Sequence, residues 1–156
     1  MGQKLVWSKM IEYVLMNESH VEAIAEIEKL CFSDPWSVNS ISSELGNRLS
    51  LWYVAMDGDT LAGYVGSQTV LGSADMMNLA VHPDYRRQGI GIGLICALVD
   101  GLAQKGANCL LLEVRESNKP AIDLYEKMGF HKVGRRPGYY HNPKEAACIM
   151  RKELDA

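Results

Sequence analysis

The stretch Asp75–Gly93, DMMNLAVHPDYRRQGIGIG, constrains this chain more than any other. Met76, Met77, Leu79, Ala80 and Val81 form a mainly apolar run of strand length, and Pro83 has no N–H to offer a central ladder. The strand should therefore stop near Val81. After Arg86-Arg87-Gln88-Gly89-Ile90-Gly91-Ile92-Gly93, the residues Leu94, Ile95, Leu98, Val99 and Leu102 recur at helical spacing, so a helix is expected to begin within the glycines. The first turn of a helix presents unpartnered backbone N–H groups and about half a positive charge, which suits phosphate oxygens. Gly89 and Gly91 would let a pyrophosphate approach the backbone, with Arg86 and Arg87 adding charge-assisted donors. Glycines alone would equally suit a flexible loop with two solvated arginines. Strand, basic pair, glycines and apolar helix in one unit favour the anion site.

Spacing limits the phosphate ligand. No G-x-x-x-x-G-K-[ST] occurs, which excludes a P-loop. A dinucleotide fold is a closer rival, since Gly89-Ile90-Gly91 opens a helix and Glu113 follows about twenty residues later. However, the third glycine falls at Gly93, giving G-x-G-x-G, and seven residues separate strand from glycines where a dinucleotide turn is tight. A chain of 156 residues also lacks room for two mononucleotide halves and a substrate domain.

The run Arg86-Arg87-Gln88-Gly89-Ile90-Gly91 resembles the [QR]-x-x-G-x-[GA] signature of the GNAT N-acetyltransferases, whose backbone amides bind the pyrophosphate of acetyl-CoA. The likeness continues through Leu110-Leu111-Leu112-Glu113-Val114-Arg115, Ser117-Asn118 and Ala121-Ile122-Asp123-Leu124-Tyr125-Glu126-Lys127-Met128-Gly129-Phe130, similar to a block of the RimI subfamily. The resemblance implies an α/β GNAT fold: a mixed, mostly antiparallel twisted sheet of about six to seven strands, helices on both faces and a central splayed parallel pair. It implies acetyl-CoA as co-substrate, bound by Leu79, Ala80, Val81, Arg86, Arg87, Gln88, Gly89, Ile90, Gly91, Ile92 and Asn118. It also implies an acceptor that is the N-terminal segment of a protein, for RimI enzymes a ribosomal one.

Composition is compatible with this. A chain of this length buries enough surface for one domain over residues 1–156 without disulfides or metal. The net charge of −3 offers no basic field for nucleic acid. Cys31, Cys96, Cys109 and Cys148 sit mostly in apolar runs and read as buried thiols of a reduced cytoplasm, and the four histidines are scattered, so no metal site is expected. Leu5-Val6-Trp7 is too short for a signal-peptide core and no run approaches membrane-spanning length. A soluble, cytoplasmic protein that does not engage membranes is expected, a monomer rather than an oligomer.

In chain order, Ile11–Met16 reads as a strand. Ser19-His20-Val21-Glu22 reads as a capping box opening a helix whose inner face is Val21, Ile24, Ile27, Leu30 and Cys31. A Pro35-Trp36 elbow leads to a shorter helix with Val38, Ile41 and Leu45. Leu51–Met56 and Leu61–Val70 read as a hairpin turned at Asp57-Gly58. Cys109–Val114 should lie parallel to the strand before the crossover helix, which is capped by Gly106. Ser117 or Asn118 caps a helix ended by Gly129, and Phe130–Val133 and Ala147–Lys152 close the sheet around a Pro137-Gly138 turn.

Acetyl transfer to an amine needs a proton acceptor for the amine, oxyanion donors and a proton for the departing thiolate. Glu113 interrupts a run of apolar residues, where burial without a partner would be costly. It reads as the general base or as the partner of Arg115, and the resemblance selects the base. Tyr125 reads as an amphipathic core tyrosine, while the resemblance implies the general acid. Asn118 suits both a helix cap and a cofactor contact, and a backbone N–H near Leu79–Val81 is the expected oxyanion donor. The segment containing Phe32 and Trp36, and the pair Tyr139-Tyr140, resemble the elbow and aromatic pair lining the RimI peptide groove; core or rim packing is an equal reading for each. Glu145-Ala146 stands where RimI relatives have aspartate-alanine. The resemblance thus implies direct acetyl transfer to an alanine-first ribosomal protein. Transfer to lysine side chains, polyamines or another small amine, and a non-catalytic acetyl-CoA sensor, are the alternatives.

Overall fold

The computed structural model describes residues 10–154, so the Leu5-Val6-Trp7 segment lies outside the described residues. Seven strands form one mixed sheet in the order β1-β2-β3-β4-β5-β7-β6: β1 (Ile11–Leu15), β2 (Ser50–Asp57), β3 (Thr60–Val70), β4 (Ser73–Val81), β5 (Cys109–Arg115), β6 (His131–Tyr140) and β7 (Glu145–Glu153). Among the described residues four α-helices accompany them: α1 (Val21–Cys31), α2 (Val38–Leu45), α3 (Ile90–Gln104) and α4 (Lys119–Lys127). None is long and apolar enough to cross a membrane. The chain divides into two compact units, one built from the described residues up to Ser67 with Asn78–Gly101, the other from Gln68–Met77 with Leu102 onward.

In the first unit, β1 pairs antiparallel with β2, setting Tyr13 opposite Ala55. The capping box lies two residues before its expected place. Asn17 Oδ1 accepts the Ser19 N–H at 2.9 Å, and His20 Nδ1 accepts the Asn17 N–H at 3.0 Å, starting a 3-10 turn over Glu18–His20. The Ser19 hydroxyl donates to Asn17 Oδ1 at 2.6 Å and is thereby committed to the cap instead of forming one. The inner face of α1 is Val21, Ile24, Ala25, Ile27 and Glu28, while Leu30, expected inside, is 59% exposed. The reason is angular: Leu30 follows Val21 by about two and a half turns and so faces the opposite way. In α2 only Ile41 of the three expected apolar positions is buried; Val38 and Leu45 are exposed. The cap there is Ser37, whose hydroxyl accepts the Ser40 N–H at 3.1 Å.

The core of this unit gathers Ile24, Ile41, Val54 and Tyr64 around Trp52, which stacks on Tyr64 at 6.1 Å and meets Trp36 at 5.6 Å. Two acidic side chains are buried against it: Glu44, which accepts from Trp52 Nε1 at 3.1 Å, and Glu28. Glu28, 1% exposed, accepts from the Trp36 N–H at 2.9 Å, from Asn78 Nδ2 at 2.7 Å and from the Tyr64 hydroxyl. Three converging donors make a buried carboxylate tolerable.

In the second unit, β4 and β5 run parallel, with Ser73, Ala74 and Asp75 opposite Cys109, Leu110 and Leu111. β4 starts at Ser73, earlier than its apolar run suggests, because Leu71 and Gly72 at φ +51° and +85° make the turn from β3. β7 pairs antiparallel with β5 along its length and with β6 on its other side. Pro137-Gly138 does not turn the chain. It lies inside β6 at a break in register between Arg136 and Tyr140, where Pro137 has no N–H to pair and Gly138 sits at φ +65°; the reversal falls after Tyr140, around Asn142 at φ +59°. The thiols also differ from the expectation: Cys109 and Cys148 are buried, Cys31 is half-buried and Cys96 is exposed, because position 96 falls on the outer side of α3.

Gly66 on β3 lies directly against the Trp52 indole, so an added Cβ would overlap the ring. Gly66→Ala should lower unfolding free energy by about 1–3 kcal/mol, the usual cost of overpacking, measured by urea denaturation.

Candidate active site

The glycine segment belongs to the first unit. β4 ends at Val81, the His82 N–H donates to the Ala62 carbonyl at 2.8 Å, and a 3-10 turn over Pro83–Tyr85 follows, with His82 Nδ1 accepting the Asp84 N–H at 3.0 Å. The Tyr85 hydroxyl donates to Asp57 Oδ2 at 2.6 Å, tying this loop to the end of β2. Arg87 and Gly89 take left-handed backbone conformations, φ +65° and +78°, which turn the chain into α3. The first helical bond joins the Gly93 N–H to the Gly89 carbonyl at 3.0 Å. The N–H groups of Ile90, Gly91 and Ile92 precede any such acceptor. Nothing lies within 4 Å of where a Gly89 Cβ would stand, and only Val81 Cγ2, at 3.9 Å, lies near that of Gly91. Open space thus lies beside the backbone at a helix N-terminus.

The third glycine has another cause. A Cβ on Gly93 would overlap the Tyr13 ring, and one on Gly101 would overlap the Tyr53 hydroxyl, so both let α3 approach β1 and β2. Arg86 is turned away from the expected anion: Nε donates to the Val81 carbonyl at 3.2 Å and the guanidinium reaches Cys31 Sγ at 3.2 Å. Arg87 and Gln88 are exposed, Leu79 and Val81 are half-buried and Ala80 is buried. The elbow lies on this unit too. Phe32 is exposed, and Trp36 edges a cleft of about 430 Å³ with Asp34, Pro35, Ser37 and Ser40.

The second unit carries the ionisable residues. Strand alternation places Leu111, Glu113 and Arg115 on one face of β5, with Leu110, Leu112 and Val114 buried on the other. Glu113 is not the isolated buried carboxylate its apolar neighbours suggest. Its side chain is 25% exposed, Oε2 pairs with the Arg136 guanidinium at 3.0 Å, and Oε1 accepts from the Tyr139 hydroxyl at 3.4 Å. Arg115, the ion-pair partner that sequence suggests, is committed elsewhere. It donates to the carbonyls of Pro143 at 2.9 Å and His141 at 3.2 Å and to Glu145 Oε1 at 3.2 Å, with its guanidinium 4.4 Å from the Tyr140 ring centre.

Tyr139 and Tyr140 meet edge to face at 5.0 Å. Burial, then the neighbouring Tyr139 and Glu113, push the Tyr140 phenol up to about 12. Burial raises the Tyr125 phenol as well, its ring resting on Phe130 at 5.7 Å. Tyr125 also acts electrostatically on Tyr140, so one neighbourhood holds Glu113, Tyr125, Tyr139 and Tyr140. Asn118 caps α4, its Oδ1 accepting the Ala121 N–H at 3.3 Å; the cap employs only the oxygen of its amide. Arg136 is not among the residues that motif or spacing singles out, because it lies 23 residues beyond Glu113 in the chain. The signal was the need of Glu113 for a cation.

The Ser117 N–H donates to Glu145 Oε2 at 2.7 Å, and this bond together with Arg115 holds the Glu145 carboxyl below its usual range. A folded-state pKa below the unfolded value near 4.5 contributes stability above that value, which is lost as pH falls through the folded pKa. Glu145→Gln should therefore flatten the acid limb of a stability–pH curve below about pH 4.5, measured by thermal unfolding. Arg115→Ala should speed amide exchange across residues 141–144, since two carbonyls there lose their donor.

Comparison with known proteins matches this chain to the acetyltransferase (GNAT) family over residues 21–130, a span that runs through both units. It is 37% identical over 137 residues to the [ribosomal protein bS18]-alanine N-acetyltransferase of Escherichia coli K12, covering 86% of this chain and 92% of that protein. It is 38% identical over 136 residues to the putative [ribosomal protein bS18]-alanine N-acetyltransferase of Bacillus subtilis, covering 86% and 90%. The crystal structure of the Escherichia coli ribosomal-protein-S18-alanine N-acetyltransferase superposes with a TM-score of 0.85 at 35% identity, over 94% of this chain and 96% of that one. A helix entered through a glycine turn, a parallel β4–β5 pair and these likenesses agree: the chain belongs to the GNAT family of acetyltransferases.

Proposed function

We propose that this protein moves the acetyl group of acetyl-CoA to the N-terminal α-amine of a protein, an alanine-first small-subunit ribosomal protein of the bS18 kind, acting as one acetyltransferase domain. The observation that carries the donor half is the start of α3, where the N–H groups of Ile90, Gly91 and Ile92 precede the first helical acceptor and a Gly89 Cβ would meet nothing within 4 Å. Such a site fits a pyrophosphate. The acceptor half rests on the shared 37–38% identity with enzymes named for ribosomal protein bS18.

Acetyl-CoA supplies an activated thioester acyl group. Ile90, Gly91 and Ile92 bind its pyrophosphate through their N–H groups, with Arg87 and Gln88 beside them, and the Asn118 amide offers a further donor. A backbone N–H of Leu79–Val81 steadies the carbonyl oxygen as it gains charge. An α-amine with a reference pKa near 8 is largely protonated at neutral pH, so Glu113 accepts its proton, directly or through water. Tyr125 returns a proton to the leaving sulfur. The upward shift of its phenol keeps that proton in place at neutral pH. Phe32 and Trp36 of the first unit, and Tyr139 and Tyr140 of the second, are the residues this reading gives to the peptide.

Mass spectrometry of acetyl transfer to a panel of free-N-terminus peptides, N-blocked lysine peptides and polyamines checks the acceptor. Acetylation confined to free α-amines, strongest for alanine-first ribosomal peptides, is expected; transfer only to lysine or polyamines would overturn the acceptor, and none at all would favour an acetyl-CoA sensor. Gly91→Val, at an unstrained helical position, should weaken acetyl-CoA binding at least about tenfold by calorimetry, by filling the approach to the N–H groups. Glu113→Gln should lower turnover by about 10²–10⁴-fold with acetyl-CoA affinity nearly unchanged.

A further inference from the structure

The Glu113 carboxylate has a cation on it already. Among the described residues Arg136 is the one cationic side chain within 4 Å of it, at 3.0 Å, and Tyr139 holds the other oxygen. The remaining groups nearby do not compete for this place. Arg115 is bound to Glu145 and two turn carbonyls, while Tyr139, Tyr140 and Tyr125 are phenols raised above their ordinary range and therefore neutral. Asp75 on β4 acts on Tyr139 and adds negative charge.

We infer that Arg136 is a specificity-determining residue that occupies the subsite of the acceptor's ammonium group on Glu113, so that a cationic amine binds by displacing it. This rests on Glu113 being the proton acceptor. A carboxylate oxygen has a second lone pair, but an ammonium and a guanidinium on one carboxylate repel each other, so the incoming cation and Arg136 exclude one another. The exchange is inexpensive on the arginine side. Arg136 is 55% exposed, its guanidinium lies 5.4 Å from the Tyr139 ring centre, and it sits beside the register break at Pro137-Gly138, where β6 departs from a regular ladder. A neutral acceptor gains nothing from the exchange, because it leaves Glu113 without a counter-charge.

Steady-state kinetics of the full chain with an alanine-first peptide at saturating acetyl-CoA test this. Arg136→Ala should lower KM for the peptide about fivefold, the scale of a partly exposed ion pair, with kcat held within about twofold. Arg136→Lys should keep KM near the parent value. Methylguanidinium added to Arg136→Ala should inhibit competitively against the peptide and not against acetyl-CoA, and should inhibit the parent protein less. A KM that rises or stays the same in Arg136→Ala, or no competition by methylguanidinium, overturns the inference. Glu113→Gln separates the two readings. Undiminished turnover there removes Glu113 as the base, whereas lost turnover with an unchanged Arg136→Ala KM removes the role of Arg136 alone.

Discussion

The first unit depends on a buried charge. Glu28 lies in a core of tryptophan, tyrosine and isoleucine, where an ionised carboxylate is stable only if donors replace its water. The three donors come from different parts of the unit: Tyr64 from β3, Asn78 from β4 and the Trp36 amide from the elbow between α1 and α2. The carboxylate therefore fixes α1, the elbow and the last rows of β4 with respect to one another. Asn78 immediately precedes Leu79–Val81, and Trp36 edges the cleft beside the elbow. One buried acid thus connects the strand assigned to the acyl carbonyl with the segment assigned to the acceptor.

The second unit handles charge in the opposite way. Glu113 keeps partial exposure and an exposed cationic partner, while Arg115, two residues along the same face of β5, is engaged in holding the turn after Tyr140. The proposed role for Glu113, taking a proton, suits a carboxylate held less firmly than Glu28. The two arginines divide the work, one ordering the aromatic pair and the other balancing the acid.

Much of the frame was legible in the chain. The glycine turn, the end of the strand before it and the apolar helix after it follow from local rules of spacing, capping and backbone freedom, and the structure has them where those rules put them, although the strand begins earlier, at Ser73. The hairpin at Asp57-Gly58 and the Asn118 cap are local in the same sense. Errors arose where two local signals competed. Pro137-Gly138 is a strong turn signal, yet β7 pairs on both sides of it and converts it into an irregularity within β6. Ser19 resembles a cap, yet Asn17 engages its hydroxyl first.

The crossover unit, the glycine turn that opens α3 and the acid on β5 are each written within a few consecutive residues, so the chain alone specifies them. Tertiary structure decided the partners. Glu113 lies 23 residues before Arg136, Glu28 lies 50 before Asn78, and Gly93 is a glycine because Tyr13 of β1 packs there. Which of several arginines reaches an acid, and which glycine serves a ligand and which a neighbouring ring, depends on distances set only when the strands are assembled. Charge and close packing act through space, and one-dimensional spacing does not record them.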